Sequence, residues 1–158
     1  QPKSKLNIYL TNSLEPPHKE YQTLFATYLA NESQQADKIK KETPIMVVIG
    51  NPPYSGISAN NIEWINNLIE DYKKEDTGEK LKERNPKWLN DDYVKFIRLS
   101  QHFIEKNKEG VVAFINPHGF LDNPTFRGMR FSLLKTFNKI YILNLHGNIR
   151  KKEKTPTG

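Results

Sequence analysis

The chain has no cysteine. That excludes disulfides and any thiolate metal site, and it fits a reducing compartment. No apolar run approaches the roughly 20 residues of a membrane-spanning helix, and no signal-peptide pattern opens the sequence. Glycine is sparse: eight in 158 residues, with no two separated by a single residue. A Gly-x-Gly turn, which lets backbone approach a bound cofactor, is therefore missing. So is the Gly-x-x-x-x-Gly-Lys loop of an NTPase. No Glu-x-Lys tripeptide occurs, so the usual carboxylate–lysine cluster of nucleases is absent. His18, His102, His118 and His146 show no paired metal-ligand spacing, and no metal is expected. His118 stands apart only because it follows the carboxyl end of an expected strand.

What remains is a polar, basic chain of one domain's length, long enough to bury a core. Its formal net charge is +6 and its pI is about 9.4. That balance favours an anionic partner, although surface lysine also serves solubility.

The most informative stretch is Ile45-Met46-Val47-Val48-Ile49-Gly50-Asn51-Pro52-Pro53-Tyr54. Its first half is a short β-branched run between Pro44 and Gly50, which predicts a buried strand. Asn-Pro-Pro then stops it, because proline lacks an N–H and fixes φ. A stiff turn results, just beyond the carboxyl end of a strand, where open α/β sheets place their chemistry. Asn51 offers an amide oxygen and Pro52 a carbonyl oxygen, while Pro53 holds the residue before it extended. Two fixed acceptors facing one exocyclic –NH2 take both its hydrogens and turn its lone pair towards an electrophile. Tyr54 supplies a ring to stack on a flat heterocycle. The plain alternative is a turn that uses proline for shape alone.

On these four residues the chain resembles the amino-methyltransferases that use S-adenosyl-L-methionine, above all the N6-adenine DNA methyltransferases. The resemblance implies that Asn51 and Pro52 bind the target amine, that Pro53 stiffens the turn, and that Tyr54 stacks on the flipped base. It implies a parallel-sheet, Rossmann-like α/β methyltransferase fold. Asp122-Asn123-Pro124-Thr125-Phe126-Arg127-Gly128-Met129-Arg130 further resembles a segment of large single-chain restriction–modification enzymes, in which a methylase is fused to helicase and nuclease parts.

The rest of the chain is read around that turn. Leu6–Leu10 predicts a strand and Thr11–Pro17 the loop after it. Apolar residues from His18 to Asn31 fall on one helical face, with Pro17 suited to its first turn. Residues 33–43 read as a polar connection. Asn60 with Glu63 resembles a capping box, ahead of a helical face at Trp64, Ile65, Leu68, Ile69 and Tyr72. Residues 73–85 read as a solvated, charged helix end or loop, with Trp88 buried beyond it. Asp91 and Asp92 open a helix that Lys106, Lys108 and Gly110 close. Val111–Ile115 predicts a second apolar strand, also ending in Asn-Pro. Asn123-Pro124 starts another helix, with Phe126, Met129, Leu133, Leu134 and Phe137 on its core side. Ile140–Leu143 predicts a fourth strand.

The expected architecture is therefore a partial α/β domain over 1–148, with about four parallel strands and flanking helices, then a flexible basic tail over 149–158. By the resemblance, Asn12 and Ser13 are candidates to touch the cofactor, S-adenosyl-L-methionine, whose main glycine-rich motif is absent from this stretch. Arg127, Arg130, Lys151 and Lys152 are candidates to bind DNA. The partners implied are DNA and the rest of a longer polypeptide, with no membrane, in the cytoplasm. Such a piece is expected to be inactive alone. Two alternatives stay open: a methyltransferase acting on protein glutamine or RNA guanine, and a non-catalytic DNA-binding module.

Overall fold

The computed structural model describes residues 7–17, 27–54, 56, 58–82, 86–147, 152 and 154. Its regular elements in chain order are α1 (Thr27–Glu42), β1 (Val47–Gly50), α2 (Glu63–Ile69), α3 (Asp92–Asn107), β2 (Val111–Phe114) and α4 (Arg127–Thr136). Short 3-10 turns cover Glu70–Lys73, Pro86–Asn90, His118–Leu121 and Pro124–Phe126.

The strands β1 and β2 pair in parallel, with Val47 opposite Val111 and Gly50 opposite Phe114. Among the described residues they are the whole sheet, so two strands stand where about four were expected. Residues 7–10 carry no regular structure, and neither do 140–147. The reason is that a strand exists only by pairing, and no described residue pairs with Ile140–Leu143. The two strands that form are not buried on both faces either. Val47, Ile49, Val111 and Ile115 are between 57% and 75% exposed, while Val48, Val112 and Phe114 face the packed side.

That packed side is built on α3. The helix buries residues around most of its circumference, including Tyr93, Val94, Ile97, Leu99 and Ile104. One cluster gathers Ile69, Tyr72, Leu89, Tyr93, Val94, Ile97, Phe126 and Met129. A second joins Leu14, Ile65 and Leu99 on its other flank. Trp88 is half-exposed, beneath the Lys87 ammonium 5.1 Å from its ring centroid, and Leu89 takes the buried place. The end of α3 turns through Lys108 at φ 66°. Gly110 follows at φ 152°, where a Cβ would overlap the Ile104 side chain and the Met46 carbonyl. Only glycine lets the chain enter β2 so close to β1. Phe126 just before α4 and Met129 on it are buried and Leu133 is partly so, but Leu134 is 68% exposed.

Two local expectations are corrected. Residues 33–43 are not a connection: α1 runs over Thr27–Glu42. The expected helix over His18–Asn31 lies mostly outside the described residues. The Asn60–Glu63 capping box does not form. The residue preceding α2 is Ile62, with no side-chain cap; Asn60 Oδ1, the atom that would cap, accepts from Asn12 Nδ2 at 2.9 Å instead, while the Asn60 amide donates to Asp92 Oδ1 at 3.1 Å.

Candidate active site

The Asn51–Tyr54 turn leaves the carboxyl end of β1, as its residues require. Ile115 N–H donates to Gly50 O at 3.1 Å, which continues the ladder to the last residue before the turn. Pro52 is buried, whereas Asn51 and Pro53 are exposed and Tyr54 is 55% exposed. A tyrosine standing free of the core is available for stacking. Among the described residues, no hydrogen bond engages the Asn51 amide or the Pro52 carbonyl. Because β2 is parallel to β1, the second Asn-Pro pair, Asn116-Pro117, emerges at the same sheet edge. His118 Nδ1 lies 3.3 Å from Asn144 Oδ1 there.

The first turn of α3 grips the segment after Tyr54. Gly56 N–H donates to Asp91 Oδ2 at 3.0 Å. Ser58 Oγ donates to Asp92 Oδ1 at 2.5 Å. Lys95 Nζ donates to Ser58 Oγ at 3.0 Å and to Asn60 O at 2.5 Å. Lys95 is fully buried; desolvation pushes its pKa down, and the Asp92 charge opposes this. Sequence reading missed Asp91, Asp92 and Lys95 as parts of this region. Their signal was two acids and a lysine, ordinary residues for a helix start.

The same network reaches the loop before α1. Asn12 Nδ2 donates to Asn60 Oδ1 at 2.9 Å and to Glu15 Oε1 at 3.0 Å, and Asn12 Oδ1 accepts from Leu14 N at 3.1 Å. The Asn12 amide thus shapes its own loop and ties it to Asn60. Ser13 lines a cavity of about 290 Å³ with Glu15, Lys40, Lys41, Trp64 and Lys106. Desolvation lowers the Lys40 pKa, against the Asp37 and Glu15 charges. Three lysines against one glutamate make that cavity a poor match for a cofactor carrying a sulfonium cation.

The basic candidates are placed differently from one another. Arg127 is exposed and pairs with Glu75 Oε1 at 2.9 Å. Arg130 is half-buried, and its Nη1 donates to Phe120 O at 2.8 Å and Asn123 O at 2.9 Å. Lys152 is exposed, and Lys151 lies outside the described residues. Among the described residues no group of three or more His, Asp or Glu side chains is arranged to hold a metal ion. No described helix is long and apolar enough to cross a membrane.

Against known families, the model for the Eco57I restriction-modification methylase matches residues 3–149. No curated protein and no solved structure matches the chain.

Proposed function

The chain belongs to the Eco57I restriction-modification methylase family, and from that premise we propose that it forms part of an S-adenosyl-L-methionine-dependent DNA methyltransferase acting on the N6 amine of adenine. The observation that carries this reading is the Asn51–Tyr54 turn, held at the carboxyl end of β1 with its two acceptors unengaged and its tyrosine exposed. Asn51 Oδ1 and the Pro52 carbonyl accept the two N–H bonds of the amine. Both acceptors strengthen as positive charge develops on nitrogen, and being fixed they need no reorganisation. Pro53 keeps the Pro52 carbonyl in place. Tyr54 stacks on the extruded base, whose removal from the helix costs a few kcal/mol.

S-adenosyl-L-methionine supplies the methyl group in this reaction class. The described residues make only part of a site for it. They contain no Gly-x-Gly turn, and the lysine-lined cavity beside Ser13 suits an anion better. In this reading Asn12 and Ser13 lie on a loop that borders the cofactor, with the binding groups contributed by further polypeptide. The open face of the sheet supports that: parallel sheets are covered on both faces, and Val47, Ile49, Val111 and Ile115 are exposed. Arg127, Arg130, Lys151 and Lys152 form the DNA-facing basic set. The working compartment in this reading is the cytoplasm, within a restriction–modification system.

The test is Asn51→Ala in the intact protein, assayed by tritium transfer from S-adenosyl-L-methionine to unmethylated genomic DNA with enzyme in excess. Loss of one preorganised partner is expected to slow transfer by roughly 10²–10³, with N6-methyladenine as the wild-type product. Transfer at wild-type speed in the variant, or methyl label on cytosine, would reject the reading.

A further inference from the structure

We propose that Asp91 is a positioning residue for the target-amine loop, fastening it through the Gly56 N–H; this rests on the reading of Asn51–Tyr54 as the amine site. Asp91 immediately precedes α3 with extended backbone, the position where an aspartate normally caps its own helix. It makes no such side-chain cap. Its Oδ2 instead accepts from Gly56 at 3.0 Å, across 35 residues of chain. The carboxylate's well-formed bond therefore goes to the loop, while the Asp92 and Tyr93 N–H groups at the start of its own helix act on it more weakly.

The position of Gly56 gives that bond its use. Gly56 stands two residues beyond Tyr54, at φ 74°, a left-handed conformation that glycine adopts without steric cost. The β ladder fastens the loop at Gly50. The Asp91 bond fastens it again at Gly56, so Asn51–Tyr54 lies between two fixed points. A single fastening would let the Asn51 amide and the Pro52 carbonyl move independently of the sheet, and displacements of about 1 Å cost up to 10²-fold in rate. The neighbouring bonds of Asp92 and Lys95 reach Ser58 and Asn60, farther from the acceptors.

Asp91 is a costly residue to keep there for packing alone. It is only 7% exposed, and its Oδ1 has no hydrogen-bond partner among the described residues. Burial pushes its carboxyl pKa up, and the Asp92 charge adds to this. The Gly56 N–H opposes it first, and the Asp92 and Tyr93 backbone N–H groups oppose it as well.

The experiment compares Asp91→Ser, Asp91→Asn and wild type in the intact protein. Serine caps helices well but is one atom too short to reach Gly56, whereas asparagine keeps a carbonyl acceptor of the same reach. Single-turnover transfer to genomic DNA, duplex affinity, thermal midpoint and amide hydrogen exchange over residues 51–58 are measured together. Asp91→Ser is expected to slow transfer about 10- to 100-fold, to speed exchange over 51–58, and to leave affinity and midpoint unchanged. Asp91→Asn is expected to restore both rate and protection. Wild-type rate and exchange in Asp91→Ser, or an Asp91→Asn as impaired as Asp91→Ser, overturns the proposal. Asn51→Ala run alongside separates the two ideas. Full activity there rejects the amine site, while exchange over 51–58 still decides whether Asp91 holds the loop.

Discussion

Gly50 lies directly across the parallel ladder from Phe114, and a Cβ on Gly50 would stand 3.2 Å from the Phe114 ring edge. The residue before Asn51 must therefore be small for the ring to lie beside the strand end. Gly50→Ala forces the ring to give by a few tenths of an ångström. Gly50→Val adds two methyl groups in the same direction. Overpacking of this kind costs about 1–3 kcal/mol, and the strain falls next to Asn51. Gly50→Val should thus lower methyl-transfer rate more than duplex affinity, with Gly50→Ala between it and wild type. Equal rates for all three would show that the strand end tolerates displacement.

Residues that act locally were legible. The Asn51–Tyr54 turn needs only an apolar run followed by two prolines, and β1 and β2 both announce themselves by β-branched residues. Long-range choices were not legible. Asn60 has the spacing of a cap, but its side-chain oxygen is engaged by Asn12 from 48 residues away. Residues 33–43 lack apolar periodicity, because α1 there presents largely polar side chains with only Ala36 and Asp37 buried. Ile140–Leu143 has strand composition, yet pairing decides whether a strand exists. Asp91 and Lys95 look like ordinary helix-start residues until the loop they bind is folded beside them.

Tyr54 is assigned its ring, not its hydroxyl. It is 55% exposed, so truncation removes little core packing. Base–aromatic stacking is worth about 1–3 kcal/mol per base. Tyr54→Ala should therefore lower transfer by roughly 5- to 150-fold while sparing thermal stability. Tyr54→Phe should stay near wild type. If the two variants are equally damaged, the hydroxyl has a role that stacking does not explain.

Tyr72 Oη donates to Gln101 Oε1 at 2.8 Å in the core, and Gln101 Nε2 continues to Ser132 Oγ and Thr136 Oγ1 at 2.9 and 2.7 Å. Tyr72→Phe leaves a buried acceptor unpaired, which costs about 1–3 kcal/mol. Gly128→Ala should be worse than an ordinary surface change, because its Cβ would overlap the Tyr72 and Lys74 carbonyls, which are backbone and cannot swing aside. Both variants should lower the thermal midpoint of the intact protein, leaving the transfer rate of the folded fraction intact. A Gly128→Ala protein that melts with wild type would mean α4 is free to shift.

His102 packs edge-on to Trp64, with ring centroids 5.9 Å apart. Desolvation lowers its pKa, the Arg98 and Lys106 charges add to this, and Glu105 opposes it. The folded state therefore prefers the neutral ring. The sign follows: His102 adds stability above the unfolded value near 6.5, and that stability is lost as pH falls through the lower folded value. His102→Gln should melt closer to wild type at pH 5 than at pH 8. A midpoint difference independent of pH would show that the ring titrates normally in the fold.

Arg127 and Arg130 lie three residues apart near the start of α4, a spacing that puts them on neighbouring positions of one face. Their present bonds differ. Arg127 pairs with Glu75, the arginine side chain 55% and the glutamate side chain 33% exposed, and solvent-facing pairs are worth about 0–1 kcal/mol, so phosphate can compete with the glutamate. Arg130 spends Nη1 on two loop carbonyls, but its fork has five donors, which leaves Nε and Nη2 for a second phosphate. Each phosphate contact contributes about 0.9 to the log–log dependence of affinity on salt. Arg127→Ala should therefore reduce that slope by about one, and the double change with Arg130→Ala by about two, with base preference unaltered because phosphate contacts position without reading sequence. Glu75→Gln removes the competing charge and should strengthen non-specific duplex binding. A slope reduced by only one in the double variant would confine Arg130 to holding the Phe120–Asn123 loop. No change with Arg127→Ala, together with no gain from Glu75→Gln, would remove this face of α4 from the DNA path.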